Sequence, residues 1–293
     1  MASIELIKKV RELTQAGVVD AKNALDANNG DVEAAIQWLR EKGITKAAKK
    51  ANSIAAEGVA KVYISGNSAV ILELNCQTDF VANNDKFINL ANDIGLLLLN
   101  AGVYDIEKAL QLEIRSNVTV DRACKELTGT VGEKIALRRF SLLTKKDEEM
   151  FSYYEHNNGR IAVLLTIDKQ IDPIVGKDIA MHAAAMAPRF LNANGIDAEW
   201  LKNETKILKE QTIAEGKPAE RADMIVKGRV NKLLGEVTLE SQPFVKNNSV
   251  SIKQHLLDHG KATLLKYIRY QVGEGIEKEV VDFAAEVAQQ IKK

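Results

Sequence analysis

The chain has 293 residues, enough for two or three domains with real cores. Its 40 basic and 40 acidic side chains cancel, so no net field draws it to nucleic acid or anionic lipid. Aromatic residues make up only 5%, which argues against a base-stacking platform, and the apolar run Leu96 to Leu99 is far too short to span a bilayer.

The two cysteines, Cys76 and Cys124, are far apart and match no metal-ligand spacing, so a reducing compartment is the natural reading. The start, Met1-Ala2-Ser3-Ile4-Glu5-Leu6, has no long apolar run and no basic, acid-free leader. The expectation is a soluble cytoplasmic protein that does not directly bind nucleotide, nucleic acid or membrane.

Residues 1 to about 45 read as three short helices. Ser3 caps the first, where Ile4, Ile7, Val10 and Leu13 recur every third residue. The second carries Val18, Ala21 and Leu25 and stops at Asn28-Asn29-Gly30. Asp31 caps the third, with Val32, Ile36 and Leu39 on one face and Gly43 as the expected stop. Lys46 to Ala51 then reads as an exposed helical linker.

A weak internal repeat follows. Gly58 to Ser65 and Ser68 to Leu74 flank Gly66-Asn67; Met150 to His156 and Arg160 to Ile167 flank Asn157-Asn158-Gly159. Both are hairpin signatures, because Gly and Asn accept the positive φ of tight turns. Each is followed by a helical pattern. Lys134 to Leu143 is a third strand for the first unit, and Glu236 to Leu239 is the expected third strand of the second. Two related α+β modules, each a small antiparallel sheet backed by helices, is the economical architecture.

A charged stretch, Ala198 to Leu234, interrupts the second module with amphipathic runs on either side of Gly216-Lys217-Pro218. It predicts a helical hairpin, too polar for a core, projecting as an antiparallel arm. Gly273-Glu274-Gly275 reads as a hinge before a last helix, Asp282 to Lys293, striped by Phe283, Val287 and Ile291.

Reactive motifs are missing. There is no Gly-x-x-x-x-Gly-Lys-Ser/Thr, Gly-x-Ser-x-Gly, His-Glu-x-x-His or Cys-x-x-Cys, and Gly129-Thr130-Val131-Gly132-Glu133-Lys134 has the wrong spacing for a phosphate loop. His182 lies on an apolar helical face and reads as a satisfied buried side chain; His255 and His259 are four apart but lack a third ligand. No catalytic residue, metal site or cofactor is expected.

The most telling stretch is Asn75-Cys76-Gln77-Thr78-Asp79-Phe80-Val81, just past the strand pattern Ala69 to Leu74. It sets a carboxylate beside a large ring, with Gln77, Thr78 and Asn83-Asn84 as polar flanks. Such a pair is a poor core element. It suits a protein that pushes into another protein's site, one residue supplying charge and the other hard apolar volume.

Several motifs together resemble one family. Leu13 to Leu25 (Leu-Thr-Gln-Ala-Gly-Val-Val-Asp-Ala-Lys-Asn-Ala-Leu) is similar to the amino-terminal motif of elongation factor Ts, and Leu72 to Val81 resembles that family's core motif. Further matches are Gly132-Glu133-Lys134-Ile135, His156 to Ile161, Ile179 to His182, Gln242 to Val245 and Gly273 to Ile276, in order along the chain. The resemblance implies a ubiquitin-associated-like three-helix domain and linker over residues 1–52 and a core subdomain over 53–143. A second core subdomain would cover 144–272, with a coiled-coil insertion at about 197–235, and a carboxy-terminal module 273–293.

It also implies a job: binding elongation factor Tu and promoting release of GDP during translation. Thr78, Asp79, Phe80 and Val81 would dislocate the magnesium of that GTPase. His156 would act on a neighbouring surface, and Leu13, Val18, Val19 and Asp20 would hold the GTPase domain. Whether two such heterodimers pair is left open. Two rival readings carry their own expectations. An adaptor built on the first three helices would act through residues 1–50 alone, and an RNA-binding translation protein would need a basic face that the balanced charge does not offer.

Overall fold

The structure, a computed structural model, describes residues 2–14, 16–216 and 219–277. The expected last helix with Phe283, Val287 and Ile291, and the Lys217-Pro218 turn, lie outside those residues.

Three helices lead: α1 (Ile4–Thr14), α2 (Val18–Ala27) and α3 (Val32–Lys50). Both predicted caps form, since Leu6 N–H donates to Ser3 Oγ at 3.2 Å and Ala34 N–H donates to Asp31 Oδ1 at 3.0 Å. Val10, Ala21, Ala24, Leu25 and Ala35 make their shared core, with Leu6, Ile7 and Trp38 packed around it. Ile4 and Leu13 stay exposed. At about 100° per residue a three-residue series drifts, so these two ends lie about 180° apart on the helix and cannot share the buried face.

Gly43 does not stop α3, which runs through it and absorbs the segment expected as a linker. The reason is tertiary. A Cβ on Gly129 would strike the backbone of Gly43, so the two glycines mark a close helix crossing.

The first hairpin is β1 (Glu57–Ser65) and β2 (Ser68–Cys76). Then come α4 (Asp79–Ala82), α5 (Asp85–Ala101), α6 (Ile106–Gln111), β3 (Glu113–Arg115), β4 (Val118–Thr119), α7 (Val120–Val131) and β5 (Ala136–Thr144). The sheet order is β1-β2-β5, so the expected third strand forms. Central β2 is buried from Ala69 onward, with Ile71, Leu72 and Leu74 fully enclosed. Polar Glu73 is enclosed as well. It takes Arg138 Nη1 at 3.0 Å, Arg139 Nε at 2.6 Å and the N–H of Gly273 at 2.8 Å. The stretch Gly273-Glu274-Gly275, expected as a hinge, is tied down by these bonds and by Arg138 donating to the Glu274 carbonyl.

The second hairpin is β6 (Met150–His156) and β7 (Ile161–Ile167), antiparallel from Met150↔Ile167 to His156↔Ile161. Asn157, Asn158 and Gly159 turn it with φ of 49°, 53° and 82°. Next come α8 (Pro173–Met186), α9 (Ala198–Ala214), α10 (Ala219–Val237), β8 (Pro243–Phe244), β9 (Asn247–Ser251), α11 (Ile252–Gly260) and β10 (Leu264–Gln271). Here the sheet order is β10-β7-β6. The third strand is therefore β10 and not Glu236 to Leu239. That stretch finishes α10 and enters a short 3₁₀ turn, and Leu239 is fully buried in the core cluster of β7, α8 and α11. A four-residue run between a helix end and Pro243 leaves no length for a ladder.

α9 and α10 pack on each other with Thr212, Ala222 and Val226 buried, and ion pairs Lys209–Asp223 (2.9 Å) and Arg229–Glu215 (2.5 Å) cross between them.

The fold class is α+β, with helices and small sheets. Contacts divide the chain into two units. One holds residues up to Val59, Leu72–Phe140 and those from Gln271 on; the other holds Ala60–Ile71 and Ser141–Tyr270. Among the described residues no helix is long and apolar enough to cross a membrane.

Candidate functional site

The stretch that follows β2 is built from the strand outward. Asn75 and Cys76 are buried, Gln77 and Thr78 half-buried, and Asp79 and Phe80 exposed. Phe80 is 86% exposed, more than any other large apolar side chain among the described residues. A ring left in water forgoes about 1.5–3 kcal/mol of burial.

The backbone beneath it is closely held. Thr78 is the N-cap of α4, its hydroxyl accepting the Val81 N–H at 3.4 Å. Asn83 Nδ2 donates to the Asp79 carbonyl at 2.8 Å and closes the other end. Asn84 then caps α5 by accepting the Lys86 N–H at 3.0 Å. Glu133, just past the end of α7, reaches in from the side. Its Oε2 accepts the N–H groups of Gln77 (3.2 Å) and Thr78 (2.9 Å), and its Oε1 accepts the Thr78 hydroxyl at 2.7 Å. The bond is returned by Lys134, whose N–H donates to Gln77 Oε1 at 3.1 Å.

Cys76 completes the base, its thiol donating to the Thr78 carbonyl at 3.1 Å. Burial pushes this thiol up to about 12, and the Glu133 carboxylate adds to the shift. It therefore stays protonated and serves as a packing and hydrogen-bonding group, not as a nucleophile.

Sequence reasoning placed Thr78, Asp79, Phe80 and Val81 in this site, and the structure brings them together on one helical turn. It did not find Glu133 or Gln77 as partners, because they lie 55 to 57 residues from their mates with no local pattern to reveal the pairing.

The residues expected at the amino-terminal end cluster separately. Leu13, Val18 and Val19 are 62%, 53% and 70% exposed where α1 meets α2. Leu13 and the half-buried Asp20 also line a cavity of about 480 Å³ with Trp38, Arg40 and Arg115. His156 belongs to the other unit. It ends β6, exposed, with Tyr154 Oη 3.2 Å from its Nδ1.

The other three histidines lie away from His156 in sequence. His182 is fully buried and satisfied at both nitrogens, by Gln242 Oε1 at 3.0 Å and the Val245 N–H at 3.2 Å. His255 stacks on Phe244 (ring centroids 4.3 Å apart) and meets the tilted ring of His259 at 4.2 Å.

Fold and site together define the class: a mixed helix-and-sheet protein that holds an acid and an aromatic ring out from a rigid turn. The sequence profile of the family described as Elongation factor TS matches residues 77–274. The chain is 46% identical over 291 residues to Elongation factor Ts of Malacoplasma penetrans (strain HF-2), covering 99% of both chains. It is 45% identical over 286 residues to that of Lacticaseibacillus casei (strain BL23), covering 98% of this chain and 97% of the other. With that of Acholeplasma laidlawii (strain PG-8A) it shares 43% over 292 residues, 98% of each. The chain belongs to the elongation factor Ts family, and its role is in translation elongation.

Proposed function

We propose that this chain binds elongation factor Tu and promotes release of its GDP, with Asp79 and Phe80 acting beside the bound magnesium. The observation that carries the reading is the 86% exposure of Phe80 on a turn whose backbone is fixed from below. An exchange factor needs no acid or base of its own. It must bind the GTPase better when nucleotide is leaving than when it is held, and the coupling is reciprocal. Each tenfold loosening of GDP requires about 1.4 kcal/mol of differential contact. Burial of the Phe80 ring supplies about 1.5–3 kcal/mol of it. Asp79, adjacent and charged, acts on the groups that order the metal, and Thr78 and Val81 frame the pair.

The amino-terminal three helices serve as a ubiquitin-associated-like docking domain, through Leu13, Val18, Val19 and Asp20. Their exposed apolar surface supports this reading. His156 contacts a second surface of the GTPase. In this reading residues 1–52, 53–143, 144–272 and 273–293 are the working parts, the α9–α10 pair is a coiled-coil arm, and the protein acts in the cytoplasm without catalysing a reaction of its own.

The test is release of a fluorescent GDP analogue from elongation factor Tu. Phe80→Ala and Asp79→Ala are each expected to slow stimulated release at least about tenfold, the equivalent of about 1.4 kcal/mol. Wild-type rates for both would end the proposal.

A further inference from the structure

We infer that Glu133 is a positioning residue for this site: its carboxylate fixes the turn that aims Asp79 and Phe80 outward. The inference rests on the exchange reading above and extends it to a half-buried residue beneath the exposed pair.

The exposed side chains of Asp79 and Phe80 bury little to hold their own place. α4 is four residues long, well below the length at which a helix sustains itself. Its direction must be imposed from outside. Cys76 and Asn83 hold the turn locally, and Glu133 reaches it from a distant part of the chain, gathering three donors from two consecutive residues: the Gln77 and Thr78 N–H groups and the Thr78 hydroxyl. Bonds to an ionised carboxylate are the strong class, and three on one group fix both position and orientation.

The geometry also sets the cap. By donating to Glu133, the Thr78 hydroxyl turns a lone pair to the Val81 N–H, which starts α4 at Asp79. Glu133 is itself held. It follows Gly132, whose φ of 80° ends α7 in the left-handed conformation and brings the next side chain back toward β2. The return bond from Lys134 to Gln77 makes the connection two-way. Without the clamp, the ring would have to be ordered anew at each encounter, and that cost falls on the step in which it inserts.

The experiment measures GDP-analogue release from elongation factor Tu against factor concentration for wild type, Glu133→Ala, Glu133→Gln, Phe80→Ala and the Glu133→Ala/Phe80→Ala double variant. Glu133→Ala is expected to lower the saturating rate about tenfold with little change in the half-saturating concentration, because docking through other surfaces is intact. Glu133→Gln keeps a carbonyl for the two N–H groups but loses the acceptor for the Thr78 hydroxyl, since its amide can only donate, so it recovers part of the rate. In the Phe80→Ala background Glu133→Ala adds much less than its full loss, since part of its effect runs through that ring and only the part that runs through Asp79 is left.

A wild-type saturating rate for Glu133→Ala, or additive losses in the double variant, with Phe80→Ala itself slow, would overturn the inference and leave the reading of the site standing. A normal rate for Phe80→Ala would overturn both. If Glu133→Ala does not fold, Gln77→Ala replaces it: its smaller loss must also shrink in the Phe80→Ala background, and additivity there is likewise fatal.

Discussion

Gly43 of α3 and Gly129 of α7 meet backbone against backbone, and the contact is asymmetric. A Cβ added to Gly129 would strike the Gly43 main chain, whereas one added to Gly43 would meet Gly129 Cα at 3.8 Å, an ordinary contact distance. Helix propensity alone favours alanine over glycine by about 1 kcal/mol at either position. Gly129→Ala should nevertheless destabilise the protein by about 1–3 kcal/mol, because the helices must separate. Gly43→Ala should be neutral or gain up to about 1 kcal/mol. Urea unfolding of both variants checks the pair, and equal effects would contradict the asymmetry.

Glu73 is a fully enclosed carboxylate on the central strand, neutralised by Arg138 and Arg139, whose own side chains are 28% and 31% exposed. Removing one member of a buried pair strands the others, at about 3–5 kcal/mol. Partial exposure lets the two arginines turn to solvent, so Glu73→Ala is expected near the lower end, about 3 kcal/mol. It also releases the Gly273 N–H, so amides near Gly273 should exchange with deuterium faster than in wild type. Unchanged exchange there would count against the anchoring role of Glu73.

What could be read from the sequence depended on how far apart the cooperating residues lie. The caps at Ser3 and Asp31 bond three residues on, and both were legible. So were the hairpins, because Asn157, Asn158 and Gly159 declare a positive φ by residue type. The exposure of Phe80 could be read from its polar flanks. Gly43 was misread as a stop because a glycine tolerated for close packing and one that ends a helix look alike until the facing helix is known. The closing strand of the second sheet was misplaced for a similar reason: β10 pairs across about a hundred residues, and Glu236 to Leu239 offered a nearer but false candidate. Glu133 carried no periodic signal, since its role depends on the fold bringing two loops together.

His182 sets a pH dependence for stability. Its Nδ1 accepts the Val245 N–H, so Nε2 carries the proton and donates to Gln242 Oε1. Burial pushes its pKa below the usual 6.5, and the Gln242 bond opposes that only in part. His255 is lowered as well, by burial and then by His259, against the opposing pull of Asp178 and Asp258. The folded protein thus binds fewer protons than the unfolded chain just below the unfolded pKa. Its stability is complete above that value and is lost as pH falls through the window beneath it. Thermal melts from pH about 7.5 to about 5.5 should show a falling Tm, with a shallower slope in His182→Gln. Parallel slopes for the two proteins would remove His182 as the cause.

Ala187 closes α8 in the left-handed region, at φ 46° and ψ 51°, its N–H bonded to the Ala183 carbonyl. Lys261 does the same for α11, at φ 48° and ψ 39°. A residue with a Cβ is strained there by about 1–2 kcal/mol, whereas glycine is not. Glycine also widens the unfolded ensemble, which takes back part of the gain. Both Ala187 and Lys261 are exposed, so neither substitution opens a cavity. Ala187→Gly and Lys261→Gly should therefore each stabilise the protein by about 0.5–1 kcal/mol, additively because the two caps share no partner. Ala187→Val, which adds β-branching to the same strained backbone, should lower the melting temperature. Denaturant midpoints for the three variants provide the check, and a loss of stability in Ala187→Gly would mean that the cap is held by side-chain packing and not by its backbone.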